Sequence, residues 1–392
     1  MPTVCVAEPK ETFETFVRET LNSSPQRASI EAHYDMDKAR HLERALLQDP
    51  SLSAQVDRAV TDSRDLKSYQ GGVQLSQPLR LSDFGEREEA KAAGEQRAAV
   101  ERDSALLALS FEIAALYSEL WSSRSLDERF TALLKKGESF QQRIGQGEEK
   151  GLIGKGQSAL FRSQLGILKQ SRFAAKSAFL EAKSKLLEYG QQRGEHFTPA
   201  RPAIAPLPQE DPKNSAPSLL RRRILKRYLK DALLEVARAD RVSMITPELR
   251  YSYSAEDIHQ VGIGFSIALP FWNGNKAARL KHTYQKKAAE AELEAFTPER
   301  WREFTELSRT AVTLRKQQLA VLENEVVPEL ERAFIEFGRI VTRGGGDFLD
   351  LWQTLHQLRA QLELARRTRT EALRARLFFA LLTGEDLFGV LQ

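Results

Sequence analysis

The chain has 392 residues, length for two or three ordinary domains, and its 29% charged and 41% hydrophobic content is globular or coiled-coil in type, which excludes disorder. Its 58 basic and 54 acidic side chains are interspersed and leave a net charge of only +4, so composition gives little reason to expect a nucleic-acid partner. A single cysteine, Cys5, excludes an intrachain disulfide framework and a cysteine zinc site, and no run approaches the roughly 18 apolar residues of a membrane-spanning helix.

The opening M-P-T-V-C-V-A has the small-residue spacing of the end of a secretory leader, with Cys5 and Ala7 where a peptidase would read. Residues 1–10 are expected to be a residual leader or a disordered terminus. A first repeat is expected over 11–205. It opens with helix over 11–48, punctuated by Pro25 and closed by Asp49-Pro50. The pattern then turns to period two. Strands are expected at about 51–62, where Asp57 and Arg58 interrupt the alternation, and at 69–81, where Tyr69, Gly71, Val73 and Leu75 share one face. A long helical hairpin follows at about 83–190. Leu126, Phe130, Leu133, Gly137, Phe140 and Ile144 step alternately by four and three, the spacing of a coiled-coil seam. Phe161, Leu165, Leu168, Arg172, Ala175, Phe179, Ala182 and Leu186 continue that rhythm on the returning helix.

Residues 191–217 carry six prolines and read as an extended surface linker. The second repeat, 206–392, is expected to hold a helix at about 217–242, strands at about 247–254 and 259–270, and a helical hairpin at about 275–383. In the first of these strands Leu249, Tyr251 and Tyr253 oppose Glu248, Arg250 and Ser252. In the second, Val261, Ile263, Phe265 and Ile267 oppose Gly262, Gly264 and Ser266. Leu330, Phe334, Phe337 and Val341, then Phe348, Leu351, Leu355, Leu358, Leu362 and Ala365, form the seams of the last hairpin. Pro298 and Pro328 should break or kink it.

The two halves replay one another. Pro25 and Pro217, and again Pro78 and Pro270, are separated by the same 192 positions, so a helix–hairpin–helix–helix unit is used twice. An apolar, aromatic strand face opposite a small or polar one is how a transmembrane barrel strand reads, and a half-buried soluble sheet reads the same way. Four strands alone close no barrel, and lipid tolerates no open sheet edge. Strands that meet lipid here must be pooled by several chains.

The sequence resembles the TolC-type outer-membrane efflux channel family on four signatures. They are V-G-I-G-F-S-I-A-L-P-F-W-N-G-N-K-A-A-R-L at 261–280; its weaker echo Y-Q-G-G-V-Q-L-S-Q-P-L-R-L-S-D-F-G at 69–85; T-R-G-G-G-D-F-L-D-L at 342–351; and the closing A-L-L-T-G-E-D-L. The resemblance covers about 11–387. It implies a mostly α fold with a small β part, in which long coiled-coil helices form a periplasmic α-barrel. Each chain of a homotrimer would give four strands to one twelve-stranded transmembrane barrel. It further implies Tyr251, Tyr253, Val261, Ile263, Phe265 and Ile267 as lipid-facing, with Phe271 and Trp272 at the inner rim. Asp347 and Asp350 match acidic rings at the periplasmic entrance, although both positions also suit helix caps. Thr342, Arg343 and Gly344, with Gly151 and Leu152 on the first hairpin, match tips that gate the entrance and meet an adaptor. Gln157 stands where an acid might be expected.

The implied function is an exit duct of a tripartite efflux or type I secretion system in the outer membrane. A periplasmic adaptor and an inner-membrane pump would be its partners. No catalytic constellation is visible: the six histidines are scattered, G-L-I-G-K-G-Q-S at 151–158 lacks the ending of a phosphate loop, and no enzyme activity, cofactor or metal is expected. A soluble coiled-coil scaffold, or the same fold exporting protein or polysaccharide, are the alternatives.

Overall fold

The computed structural model describes residues 12–46, 48–59, 68–79, 86–190, 199–208, 230–231, 244–253, 258–267, 276–294, 298–343, 345, 348–383 and 385. In chain order the elements are α1 (Phe13–Ser23), α2 (Pro25–Ala45), β1 (Ser51–Ala59), β2 (Ser68–Ser76), α3 (Glu86–Glu149), α4 (Lys155–Glu188), β3 (Ile245–Tyr253), β4 (His259–Ile267), α5 (Lys276–Glu294), α6 (Pro298–Val321), a π-helical turn (Leu322–Val326), α7 (Val327–Thr342) and α8 (Phe348–Thr383). They fall into two compact units. A helical unit is drawn from 1–30, 104–217 and 298–392, and a sheet unit from 31–103 and 218–297. The division cuts across the two sequence repeats, because each unit takes corresponding pieces from both.

In the helical unit the expected seams are the core. Phe130, Ile144, Phe161, Leu168, Phe334, Leu351 and Leu358 are buried in one cluster that joins the hairpin α3–α4 to the hairpin α7–α8. The two hairpins interlock through aromatic edges: Phe140 meets Phe334 at 5.6 Å and Phe161 meets Phe348 at 6.0 Å between ring centroids. Gly338 of α7 is where the Phe140 ring lies, and any Cβ there would overlap it. Arg172, the charged step in the α4 seam, donates from Nε to Asp127 of α3 at 3.1 Å. A second cluster gathers Phe13, Phe16, Ile113, Tyr117, Leu120, Leu186, Leu373 and Leu377. Here the Tyr117 ring packs against both α1 phenylalanines, and its hydroxyl donates to the Ala200 carbonyl at 2.9 Å. The 64-residue α3 contains a stretch as apolar as a membrane span. Its large side chains Ile113, Tyr117 and Leu120 are instead taken up by this second cluster.

Pro25 and Pro298 act as the sequence predicts, and Pro328 does not break its helix. Pro25 occupies the first turn of α2, where its missing N–H costs nothing, and Ser24 Oγ accepts from the Gln26 N–H at 3.2 Å. Pro298 begins α6. Pro328 is absorbed without a break. The turn before it widens to π geometry, and Val327 N–H reaches back to the Leu322 carbonyl. That spares the proline ring a clash with the preceding turn.

The proline-rich linker differs from its expectation as an extended surface segment. Among its described residues, Pro199, Pro202 and Ala205 are buried. Its carbonyls are gripped by the helices: Lys316 Nζ donates to Ile204 and Ala205, both at 3.3 Å, and Arg376 donates to Ala205 and Pro206. Extended backbone has no internal hydrogen bonds, so long cationic side chains supply its partners. Of the helix expected at about 217–242, only Lys230 and Asp231 lie within the described residues, and both are helical.

The sheet unit holds one antiparallel sheet of order β1-β2-β3-β4. Its central ladder, β2 with β3, runs from Gly71 opposite Tyr253 to Ser76 opposite Glu248 and joins the strand pairs of the two repeats. Each strand is nine residues long. β2 stops before its expected end, although Leu79 still bridges to Ile245, and residues 268–270 at the expected end of β4 lie outside the described residues. β3 starts at Ile245, two residues earlier than its pattern predicts, because Pro247 hides the alternation there.

Candidate functional site: the sheet faces and the hairpin tips

Register decides what each sheet face presents. Leu52, Leu75, Leu249 and Ile263 form one row across the four strands, and Ala54, Val73, Tyr251 and Val261 form the next. A third row is Val56, Gly71, Tyr253 and His259. Phe265 and Ile267 extend this face along β4. It is apolar and uncovered: Ile263 is 87% exposed and Val56 76%. The opposite face carries Ser53, Gln74, Arg250 and Gly262 in one row and Gln55, Gly72, Ser252 and Gln260 in another. Of the two residues that disturb the β1 alternation, Asp57 falls on this polar face, opposite Gln70, and Arg58 falls in register with Tyr69 at the end of the apolar one.

An apolar sheet face normally lies against a core. Among the described residues of the sheet unit, none covers this one. At about 3.3 Å per residue the stretch from His259 to Ile267 is about 27 Å long, and at a tilt of about 40° it rises about 20 Å, near the roughly 25 Å apolar band of outer-membrane barrels. At the His259 end, the Tyr251 hydroxyl and His259 Nδ1 share a hydrogen bond of 2.7 Å, and the Tyr253 ring lies 5.1 Å from the imidazole. Polar-tipped aromatics suit a boundary between apolar and aqueous phases. Both edge strands, β1 and β4, have one open side among the described residues.

At the hairpin tips, α3 ends in a Schellman turn. Gly151 has φ +70, its N–H donates to the Glu148 carbonyl at 3.0 Å, and the Leu152 N–H donates to the Gly147 carbonyl at 2.9 Å. That turn leaves Leu152 69% exposed while Ile153 folds back onto the core. Gln157 proves to be a capping residue. Its Oε1 accepts from the Gly154 N–H at 3.1 Å at the start of α4, a role that an acid would also fill and that the sequence pattern did not reveal. The second tip closes similarly, the Gly345 N–H donating to the Ile340 carbonyl at 3.2 Å. Thr342 is half-buried, its hydroxyl donating to the Arg339 carbonyl at 3.0 Å, and Arg343 is exposed. Asp350 is exposed in the first turn of α8. Gly344, Asp347, Phe271 and Trp272 lie outside the described residues.

No protein-family model and no curated protein matches the sequence. Solved structures do match. The outer-membrane channel OprN aligns at TM-score 0.78 and 16% identity over 96% of this chain and 90% of that one. The Campylobacter jejuni outer membrane channel CmeC gives 0.77 and 12% over 96% and 86%. The outer membrane protein VceC from Vibrio cholerae gives 0.75 and 14% over 95% and 97%. The TolC-like fold expected from the sequence is therefore the fold of this chain, along nearly its whole length.

Proposed function

We propose that this protein is an outer-membrane exit duct, a passive conduit across the periplasm and outer membrane in a tripartite efflux or type I secretion system. One observation carries the reading: a four-stranded sheet with an uncovered apolar face, a polar opposite face and two open edges. In water the first feature is unfavourable, and in lipid the last is forbidden. Three copies, with β1 of each paired to β4 of the next, turn both into assets, making a twelve-stranded barrel with lipid outside and a polar lumen within. Tyr251, Tyr253, Val261, Ile263, Phe265 and Ile267 then face lipid. A coiled-coil scaffold has no use for such a sheet.

The tips form the periplasmic entrance in this reading. Asp347 and Asp350, repeated by symmetry, ring the entrance with carboxylates and favour cations. Thr342, Arg343 and Gly344 gate it, and Gly151 and Leu152, with Leu152 exposed at its turn, meet a periplasmic adaptor coupled to an inner-membrane pump. The test is imaging of detergent-extracted particles. The expected result is a threefold hollow particle, and a water-soluble monomer with its strands buried overturns the proposal.

A further inference from the structure

Arg129, Arg201, Arg366 and Arg369 line one cavity of the helical unit, of about 170 Å³, and a single carboxylate, Glu323, answers them. Two helices supply most of its wall. Trp121, Ser125 and Arg129 follow one another by four residues and share a face of α3. Leu362, Arg366 and Arg369, spaced by four and three, share a face of α8. Glu323 of the π-helical turn and Arg201 of the proline-rich linker complete the lining.

The charges do not balance. Glu323 is already shared between Arg369 and Arg201. The Arg366 guanidinium donates to a neutral group, Ser123 Oγ, at 3.0 Å, and Arg129 makes no ion pair among the described residues. The acids that flank these positions are engaged elsewhere: Glu119 with Arg374, Asp127 with Arg172, Glu128 with Arg124 and Glu363 with Arg359. Cations gathered around a concave space of low-dielectric walls focus their field into it and draw in anions.

The remaining surface of the cavity favours carbon. Leu126, Leu362 and Ala365 are buried in its lining, beside the Trp121 ring. A bare inorganic anion would leave these side chains unmatched. An apolar cavity of about 150 Å³ takes up benzene, so this space is large enough for one ring. We propose that the cavity binds a small organic anion, a carboxylate on a carbon skeleton of about one ring. Arg129 and Arg366 hold the carboxylate, and the ring lies against Leu126 and Leu362. A planar guanidinium suits this head group, because it can donate two parallel hydrogen bonds to a carboxylate.

The experiment is calorimetric titration of the detergent-extracted full-length chain with benzoate, with benzamide as its neutral counterpart and inorganic phosphate as a bare anion. Saturable benzoate binding is expected, about tenfold or more tighter than that of either comparison compound. Arg129→Gln with Arg366→Gln should weaken it about tenfold or more. Neither side chain holds Glu323, and Arg129 is exposed, so the double variant should fold, which circular dichroism checks. Should it unfold, Arg129→Gln alone is titrated, with an expected loss of about threefold. Equal binding of benzamide overturns the role of charge, and equal binding of phosphate overturns the carbon skeleton. Unchanged benzoate affinity in a folded variant, or no saturable binding to the parent chain, overturns the site.

Discussion

Arg369 of α8 clasps Glu323 of the π-helical turn with two hydrogen bonds, the one from Nε to Oε1 measuring 2.8 Å. The same guanidinium stacks 5.0 Å from the Trp121 ring and donates to the Pro202 carbonyl at 3.4 Å. Arg201, from the proline-rich strap at 199–208, donates to Glu323 Oε2 at 2.9 Å, the oxygen that Arg369 Nη2 also reaches. One carboxylate thus fastens α8, the widened turn and the proline strap together. Arg369 is only 6% exposed, so losing its partner strands a buried charge. Glu323→Ala is expected to destabilise the helical unit by about 3–5 kcal/mol, and Arg369→Met, which removes the buried charge itself, by less. Thermal unfolding of the two variants checks the order.

The contact of Phe140 with Gly338 gives a second expectation. Gly338→Ala adds about 1 kcal/mol of helix propensity but forces the ring aside, which costs about 1–3 kcal/mol. Phe140→Ala alone costs about 3–5 kcal/mol. Combined with Gly338→Ala it should cost less than the sum, because the steric conflict is gone; denaturant unfolding of the four chains measures this coupling.

The two sheet faces should respond oppositely to charge. Ile263→Arg places a guanidinium in the apolar face, at a cost of about 2–4 kcal/mol if it sits near the bilayer midplane. Ser252→Arg, on the polar face, is expected to leave assembly intact. Recovery of folded oligomer from membranes, read on unheated gels, distinguishes them, and equal yields would remove the lipid-facing assignment.

Replacing Asp347 and Asp350 together with Ala should weaken cation preference in planar-bilayer conductance. If selectivity is unchanged and only helix stability falls, by about 0.3–1 kcal/mol per charge, these acids serve the α8 terminus alone.

Lys316 predicts a pH effect. Burial, and then the charge of Arg376, holds its ammonium below the ordinary value of 10.5. The unfolded chain therefore binds that proton more readily. The resulting penalty is complete below the folded value and vanishes as pH rises from there to 10.5, so this group makes stability climb with pH in that window. Tyr189, raised by burial and by Glu112, acts in the opposite sense above its ordinary 10.0. Melting temperatures of the parent chain and Lys316→Met should therefore differ most at low pH and converge toward about pH 10.5.

Much of the architecture was legible because its determinants are periodic. The four-three stepping of Phe130, Leu133 and Ile144 and the alternation of Val261, Ile263 and Phe265 each report a local geometry repeated many times. What escaped depends on single encounters between distant residues. Nothing local announces that Arg376 will hold the carbonyls of Ala205 and Pro206, so the strap reads as a free linker. The π-helical turn is a compromise around one proline, and Gln157 acts as a cap only because Gly154 stands three residues before it. At the tips, residue types suggested gating and adaptor roles by resemblance. The turn at Gly151 depends on glycine, since φ +70 strains any side chain.

The ladder between β2 and β3 carries a consequence for biogenesis. Each strand pair is local and able to zip quickly, but Gly71 must wait for Tyr253, which emerges far later from the ribosome. Until Ile245 has been synthesised, β2 keeps a naked edge that invites wrong pairings, so a truncated chain ending earlier is an aggregation hazard. That edge stays unpaired from the time Ser76 is made until Ile245 follows, and the sheet is completed only when the second strand pair arrives.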